Sequence, residues 1–371
     1  MATRPGRLLA VVWSVLVLAA CGHNRPAPEP AAQATGEPGG PRVGVILPET
    51  ATSERWSRFD QPLLRDALLR AGLTPIVQNA QGDAQKFAQI ADSMLGQRVR
   101  VLILAAPSGD VGATVELRAR QQGVPVIGYD RLSAGGSADY HVSFDHVAVG
   151  ELQARALAAA TRDRPGAQVI EIGGSPTDHN AALVHDGQRR VLDPLYRTGR
   201  LRQAGGHFVD GWDSRTGGQV FEQLLTANGG RVDAVLAAND GLAGAVITVL
   251  QKYGLAGRVP VTGQDTTVDG LRAVLRGDQS STVFKPIRQE ADVAAGLAAA
   301  LVRGDTAAAD RMASRVVRDP GTGREIRSVL LAPQLVTRDT VGEVVGSGHV
   351  SAAEVCPDEL AATCRRLGIA G

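Results

Sequence analysis

Short runs of apolar residues alternate along this chain with longer amphipathic segments. Residues 43–47 form a continuous apolar run, the pattern of a strand buried on both faces. Residues 57–70 then place apolar side chains at helical spacing and end before Gly72. The same alternation predicts further strands at 75–77, 101–104, 124–127, 140–144, 169–172, 205–209, 233–237, 259–262 and 281–284, and helices near 83–97, 110–122 and 146–160.

Strands that alternate with helices of this length predict an α/β fold, in which mostly parallel sheets carry helices on both faces. The alternation begins near residue 43 and starts again near residue 169, so two such lobes are expected. The length of 371 residues agrees with this, because a domain averages roughly 150 residues.

The N-terminus has the pattern of an export signal. Arg4 and Arg7 precede an apolar run over residues 8–17, which is too short to span a bilayer, since a span needs about 18 apolar residues. We therefore predict a signal peptide over residues 1–20. The tetrapeptide that ends at Cys21, Leu-Ala-Ala-Cys, resembles a bacterial lipobox, and the alternative is a chance cysteine after the signal.

The lipobox predicts where the protein is anchored, and the composition of the following residues predicts a tether. Cys21 becomes the lipidated first residue, so that the protein is extracytoplasmic and anchored to the cell membrane. Residues 21–42 are rich in Pro, Ala, Gly and Glu and have almost no large apolar side chain. Such a segment cannot bury enough apolar surface to offset its ordering entropy, so we expect a disordered tether.

Composition and motifs exclude several functions. A net charge of +1 favours no nucleic-acid partner. None of the three lysines follows a glycine, so a phosphate-binding P-loop is absent. The seven histidines have no metal-ligand spacing, and the chain has neither a Gly-x-Ser-x-Gly elbow nor a His-Glu-x-x-His helix. We expect no catalysis, no metal and no cofactor.

Polar side chains follow the apolar runs of both halves. In open parallel sheets, ligands bind beyond the carboxyl ends of the strands, where such residues gather. Each could instead be a helix cap or a solvated charge. Together they combine carboxylates, basic groups and amides with the flat faces of Trp56 and Trp212, a mixture that suits the hydroxyls and the C–H face of a neutral sugar.

A series of segments carries a resemblance to a known family. The segments are Glu54-Arg55-Trp56, residues 126–131, 140–145, 149–154, 173–178 and 225–228, Ala238-Asn239-Asp240-Gly241, Gly263-Gln264-Asp265 and residues 282–286. They run in order from about residue 43 to 290, and the match is weaker after about residue 300. In these segments the chain resembles the D-xylose-binding proteins of bacterial ABC importers and their relatives for other monosaccharides. The resemblance implies a two-lobed type I periplasmic binding protein fold, with a sugar cleft between lobes that each hold a mostly parallel sheet flanked by helices.

The resemblance also implies a set of sugar contacts, which coincides with the residues at the strand ends. The sugar-binding residues are expected to be Arg55, Trp56, Asp130, Arg131, Asp178, Asn180, Trp212, Asn239, Asp265 and Lys285. His179 stands where the family usually has asparagine. It changes little if it faces outward, whereas in the cleft it could alter the preference among sugars.

The family's chain crosses between its lobes three times, here near Phe144-Asp145, Lys285-Pro286 and Ala332-Pro333. The N-terminal lobe is then expected to comprise 43–144 plus 286–332, and the C-terminal lobe 145–285 plus 333–371. A monomer is expected, which captures a monosaccharide, D-xylose or a related aldose, by lobe closure and delivers it to the permease of an ABC importer. The alternative is a lipoprotein that reports the sugar to a membrane receptor or histidine kinase.

We expect Cys356 and Cys364 to form a disulfide, because an oxidising compartment permits it, and the alternative is two free thiols. A straight helix through both would separate their Cα atoms by about 12 Å. A disulfide needs about 7 Å or less, so pairing requires a turn between them.

Overall fold

A computed structural model describes residues 39–49 and 55–369. The predicted signal peptide, the lipidation site at Cys21, nearly all of the predicted tether and Glu54 lie outside the described residues. Within those ranges the strands are β1 Arg42–Leu47, β2 Thr74–Asn79, β3 Val101–Leu104, β4 Val126–Tyr129, β5 Tyr140–Phe144, β6 Ala167–Gly173, β7 Leu201–Phe208, β8 Ala234–Ala237, β9 Thr282–Phe284, β10 Arg315–Arg318, β11 Glu325–Leu331 and β12 Gln334–Val336.

The helices alternate with these strands over most of the described chain. They are α1 Gln61–Arg70, α2 Ala84–Gly96, α3 Gly109–Gln121, α4 His146–Ala160, α5 His179–Arg197, α6 Ser214–Ala227, α7 Asp240–Lys252, α8 Val268–Arg276, α9 Ile287–Val302, α10 Thr306–Met312, α11 Val341–Gly346, α12 Ala352–Val355 and α13 Ala361–Arg366. A π-helical turn at Trp56–Asp60 leads into α1. No helix among the described residues is both long enough and apolar enough to cross a bilayer.

The larger sheet has seven strands among the described residues, in the order β10-β11-β5-β4-β3-β1-β2. Its strands are parallel except where β10 pairs antiparallel with β11. Helices α1 and α9 pack on one face of this sheet, and α2 and α3 cover the other. Because both faces are covered, β3 is apolar throughout and β1 is apolar after Arg42.

The smaller sheet has the order β7-β6-β8 and is parallel. Helices α6 and α7 pack on one of its faces, and α4 and α5 pack on the other. The predicted strand at 259–262 is wrong, because this segment makes only a single parallel bridge, between Val235 and Val261. The segment turns away at once, since Asp265 and Thr266 adopt positive φ angles of 93° and 47°.

Strands β9 and β12 pair antiparallel beside the two larger sheets. The C-terminal helices pack with α8 and Phe284 in a separate apolar cluster. A turn between α12 and α13 brings the Cα atoms of Cys356 and Cys364 to 6.1 Å, and the two residues form a disulfide. The assignment of residues 43–144 plus 286–332 and 145–285 plus 333–371 to two lobes stays a prediction.

Candidate functional site

The carboxyl ends of the two main sheets face a common cavity. It is lined by Glu49, Arg55, Trp56, Asp130, Arg131, His146, Asp178, Asn180, Trp212, Asn239, Gln264, Asp265 and Lys285. All ten residues that the sequence predicted as sugar contacts are therefore brought together, although their contact with a sugar stays a prediction. The open space amounts to about 40 Å³, room for only a few water molecules.

Local backbone geometry explains how these side chains reach the cavity. Asp130, Trp212 and Asp265 follow the ends of apolar segments and have positive φ angles of 58°, 60° and 93°. Left-handed backbone is costly for residues other than glycine and tends to occur at functional sites. The chain also makes room for Trp212, because a Cβ atom at Gly174 would lie 2.2 Å from its ring. The strand ends are shaped around these side chains.

Helix capping and cavity lining are combined in two of the residues. The Asp178 Oδ1 atom accepts from the backbone N–H of Asn180 at 2.9 Å and begins α5, while Oδ2 accepts from the indole N–H of Trp212 at 3.1 Å. The Asn239 Oδ1 atom accepts from the N–H of Leu242 at 2.9 Å and begins α7. A capping role therefore does not remove these residues from the site.

Arg55 occupies the centre of a buried ion-pair network. Its guanidinium donates to both carboxylate oxygens of Asp60, at 2.9 and 2.8 Å, to Asp130 at 2.6 Å and to Glu290 at 3.1 Å. Burial alone would lower the pKa of Arg55, but the charges of Asp130 and Asp60 outweigh it and raise the pKa well above its ordinary value. The arginine stays charged.

The carboxylates around Arg55 respond in opposite directions. Burial would raise the pKa of Asp130, yet the charges of Arg55 and Lys285 outweigh it and hold that pKa below its ordinary value. Burial, together with the charge of Asp130, raises the pKa of Glu290 well above its ordinary value. The charges of Arg55 and Lys285 therefore favour the ionised form of Asp130, whereas burial beside Asp130 favours the protonated form of Glu290.

Two contacts join the ends of the two sheets across the cavity. Arg131 Nε lies 3.1 Å from Asp178 Oδ2. Asn180 Nδ2 donates to Asp130 Oδ1 at 2.9 Å. Arg131 and Asp130 follow β4 of the larger sheet, whereas Asp178 and Asn180 follow β6 of the smaller one. The polar groups on the two sides therefore bind one another directly.

Both tryptophans are held by their indole N–H groups. Trp56 Nε1 donates to Glu49 at 3.3 Å, and Trp212 Nε1 donates to Asp178 at 3.1 Å. Arg131 also pairs with Glu49, at 2.9 Å. The carboxylates thus fix the planes of both rings, which prepares two flat apolar surfaces without further loss of rotamer freedom.

His146 is a neutral member of the cavity wall. The Ser143 hydroxyl donates its one hydrogen to the carbonyl of Asp130 at 2.8 Å, so it accepts from His146 Nε2 at 3.1 Å. The other ring nitrogen, Nδ1, is then unprotonated. Burial lowers the pKa of His146 to about 3.

Sequence reasoning missed Glu49 and His146 as lining residues and Glu290 as a partner of Arg55, and it did not include Gln264 among the predicted sugar contacts. Glu49 follows β1 and Gln264 follows the apolar segment 259–262, so the argument that found their neighbours applies to them as well. Glu290 had a different signal, because it stands on the Ala-rich buried face of α9. A lone carboxylate on such a face needs a buried cation or a proton.

His179 lies elsewhere. It lines a neighbouring cavity with His141, Leu183 and Val317, among others, and it is not part of the cavity wall described above. Within the described residues no group of three or more His, Cys, Asp or Glu is arranged to hold a metal ion.

Comparison with known proteins identifies the family. The model of the periplasmic binding protein domain matches residues 43–306. The chain belongs to the periplasmic binding protein family. It has the family's type I fold, with mostly parallel sheets flanked by helices, as the resemblance implied.

Named relatives cover most of the chain. A "D-xylose-binding periplasmic protein" from Haemophilus influenzae is 34% identical over 304 residues, which cover 82% of this chain and 88% of that protein. The "multiple sugar-binding periplasmic receptor ChvE" of Rhizobium radiobacter is 32% identical over 322 residues, covering 82% and 89%. Among solved structures, the chain is similar to a carbohydrate transporter solute binding protein from Chloroflexus aurantiacus in complex with D-glucose. The two chains are 28% identical, and their structures align with a TM-score of 0.74 over 84% of this chain and 97% of that one.

Proposed function

We propose that this protein binds a monosaccharide, D-xylose or a related aldose, in the cavity between the two sheets and turns nothing over. The observation that carries the proposal is that ten residues from at least six separate segments converge on one cavity. They supply charged, amide and aromatic groups together. A sugar offers several hydroxyls that both donate and accept, and it can use all three classes.

The charges of the wall favour a neutral sugar over a sugar acid. Arg131 pairs with Glu49 and Asp178, and Lys285 pairs with Asp265 at 2.9 Å. Arg55 is held by three carboxyl groups. Among the described residues, no cation of the wall is without a carboxylate partner. An added carboxylate would therefore meet repulsion before attraction.

Binding requires the cavity to widen. A sugar cannot enter about 40 Å³ of open space, so the contacts between Arg131 and Asp178 and between Asn180 and Asp130 have to part. The freed groups can then bind sugar hydroxyls. Because these contacts join the ends of the two sheets, parting them corresponds to lobe opening, and a ligand that bridges both sides favours closure.

The proposal includes export, anchoring and delivery. The relatives are named as periplasmic sugar-binding proteins, and the solved neighbours as ABC transporter or carbohydrate transporter solute binding proteins. Together with the lipobox-like tetrapeptide at Cys21, this supports a membrane-anchored monomer outside the cytoplasm that passes sugar to an ABC permease. One relative is named a receptor, which favours reporting to a membrane sensor as the second candidate.

Calorimetry and thermal unfolding test the binding. The full-length protein, purified in detergent, is titrated with D-xylose, other aldopentoses, aldohexoses and D-glucuronate. At least one neutral aldose should release or absorb heat and raise the midpoint of thermal unfolding, since a ligand of the folded state stabilises it by mass action. Glucuronate should bind more weakly than glucose. A panel without heat and without a shift in the midpoint contradicts the proposal.

Fractionation of cells tests the anchor. The Cys21→Ser protein should leave the membrane fraction and keep its sugar affinity. Protein that stays in the membrane refutes the lipobox. Uptake of the radiolabelled sugar then separates the two candidates, because an importer component is required for uptake, whereas a sensor is required only for the transcriptional response.

A further inference from the structure

Gln264 differs from its neighbours in the cavity wall because its side chain has no partner. It is 4% exposed and lines the cavity between Gly263 and Asp265. Its Oε1 atom is buried without a hydrogen-bond partner, and no described residue bonds to the amide nitrogen.

The other polar side chains of the wall are largely committed to one another. Arg55 and Arg131 donate to carboxylates. Asp178 accepts from two N–H groups and forms an ion pair with Arg131. Asn239 uses its oxygen to cap α7. The Gln264 amide has two N–H donors and an acceptor oxygen without partners among the described residues. No other uncharged side chain of this wall has as many free hydrogen-bonding groups.

Hydrogen bonds fix the backbone around Gln264, so the position of its side chain in the cavity wall is defined by the fold. The Gln264 carbonyl accepts from the N–H of Asp240 at 3.0 Å. The Gly263 carbonyl accepts from Gln153 Nε2 at 3.0 Å. The next residue, Asp265, has a φ angle of 93°. A rigid and partly strained turn therefore presents an amide whose burial is costly unless a ligand satisfies it.

We propose that Gln264 is a specificity-determining residue, whose amide binds one hydroxyl of the monosaccharide beside Asn239 and Asp265. The inference rests on the proposed function. A hydroxyl fits this role because it can donate to the amide oxygen and accept from the amide nitrogen. A sugar that lacks that hydroxyl leaves the amide unpaired and binds more weakly.

Gln264→Met tests the contact, because methionine has a similar length and no polar group. Binding of D-xylose and D-glucose and of their monodeoxy analogues is measured by calorimetry on full-length protein. The variant should bind the preferred sugar about tenfold more weakly. For one deoxy position, the penalty seen with the unmodified protein should disappear in the variant, which identifies the hydroxyl. The matched control is Gln251→Met on the exposed end of α7, which should bind like the unmodified protein.

Thermal unfolding without sugar separates binding from structure. The midpoint of Gln264→Met should equal or exceed that of the unmodified protein, because the variant loses an unpaired buried amide. A lower midpoint with unchanged deoxy penalties would overturn the inference, as would unchanged affinity across the panel. If the unmodified protein binds no neutral aldose of the wider panel, the proposed function itself fails, and if it binds another aldose, the deoxy analogues of that sugar are used instead.

Discussion

Arg55 and Lys285 are both buried cations of the cavity, but they are held in different ways. Arg55 has three carboxyl partners, of which Asp60 and Glu290 are completely buried. Lys285 has a single carboxylate within ion-pair distance among the described residues, Asp265 at 2.9 Å. It lies at one of the predicted crossings between lobes.

This difference separates the part of the cavity that stabilises the fold from the part that has hydrogen-bonding groups available to a ligand. At the Arg55 end of the cavity, the charged groups pair with one another, so their geometry is set without a bound sugar. At the Lys285 end, an ammonium with three donors meets one carboxylate, and Gln264 has no hydrogen-bond partner among the described residues. Substitutions at the first end should therefore reduce stability, and those at the second should reduce affinity.

The largest effect should come from Arg55→Met. The substitution leaves carboxylates buried without their cation, so the free energy of unfolding should fall by about 3–5 kcal/mol. Urea unfolding measures this. The control is Arg58→Met one helical turn away, since Arg58 pairs with Glu354 near the surface and should cost about 1 kcal/mol or less. Equal losses at the two positions would contradict the distinction between the two ends.

The double variant Asp265→Asn with Lys285→Met tests the Lys285 end of the cavity. Because both charges are removed together, no buried charge is left unpaired, and the free energy of unfolding should change by about 1 kcal/mol or less. Affinity should fall roughly a hundredfold, since hydrogen bonds to charged groups contribute about 1.5–3 kcal/mol each. His179→Asn is the control and should bind with nearly unchanged affinity. A stable double variant that binds normally would show that the Lys285 end does not touch the sugar.

The pH dependence of stability tests both ends of the cavity at His146, because the charges of Lys285 and Arg55 both lower the pKa of this histidine. Burial lowers its pKa to about 3 from 6.5. The folded protein therefore binds fewer protons than the unfolded chain between these values, and falling pH favours unfolding. Between pH 7.5 and about pH 5, this single group should remove about 2 kcal/mol from the free energy of unfolding.

His146→Gln should abolish that part of the pH dependence, because the glutamine amide can still donate to Ser143 and does not titrate. Urea unfolding of both proteins at the two pH values gives the difference. A variant with the same pH dependence as the unmodified protein would mean that His146 is not neutral in the folded state.

Much of this arrangement can be predicted from sequence because two physical rules act locally. Apolar runs such as residues 43–47 and 101–104 form strands wherever both faces are covered, and chain polarity then brings the residues after them to one edge. Asp130 and Asp178 are found in this way. His146 was missed because a single histidine gives no local signal, and its role depends on Ser143 and Asp130 from other segments.

Other features depend on distant parts of the chain that no local pattern encodes. The predicted strand at 259–262 has the right composition, but the turn at Asp265 and Thr266 ends it after one bridge. Glu290 pairs with Arg55 across 235 positions of sequence. The hydrogen bonds of Gln264 could not be counted from sequence, because an unpaired side chain is recognised only when all of its neighbours are known.

The fixed tryptophans give the molecule an optical property. Of the three tryptophans in the chain, one lies in the predicted signal peptide, and Trp56 and Trp212 both line the cavity. In a protein without the predicted signal peptide, all indole emission would therefore originate at that cavity, where the Arg55 guanidinium carbon lies 4.4 Å from the centroid of the Trp56 ring. Fluorescence of the unlabelled protein is consequently free of background from other tryptophans, and the natural sequence is a ready-made reporter of whatever enters or leaves the cavity.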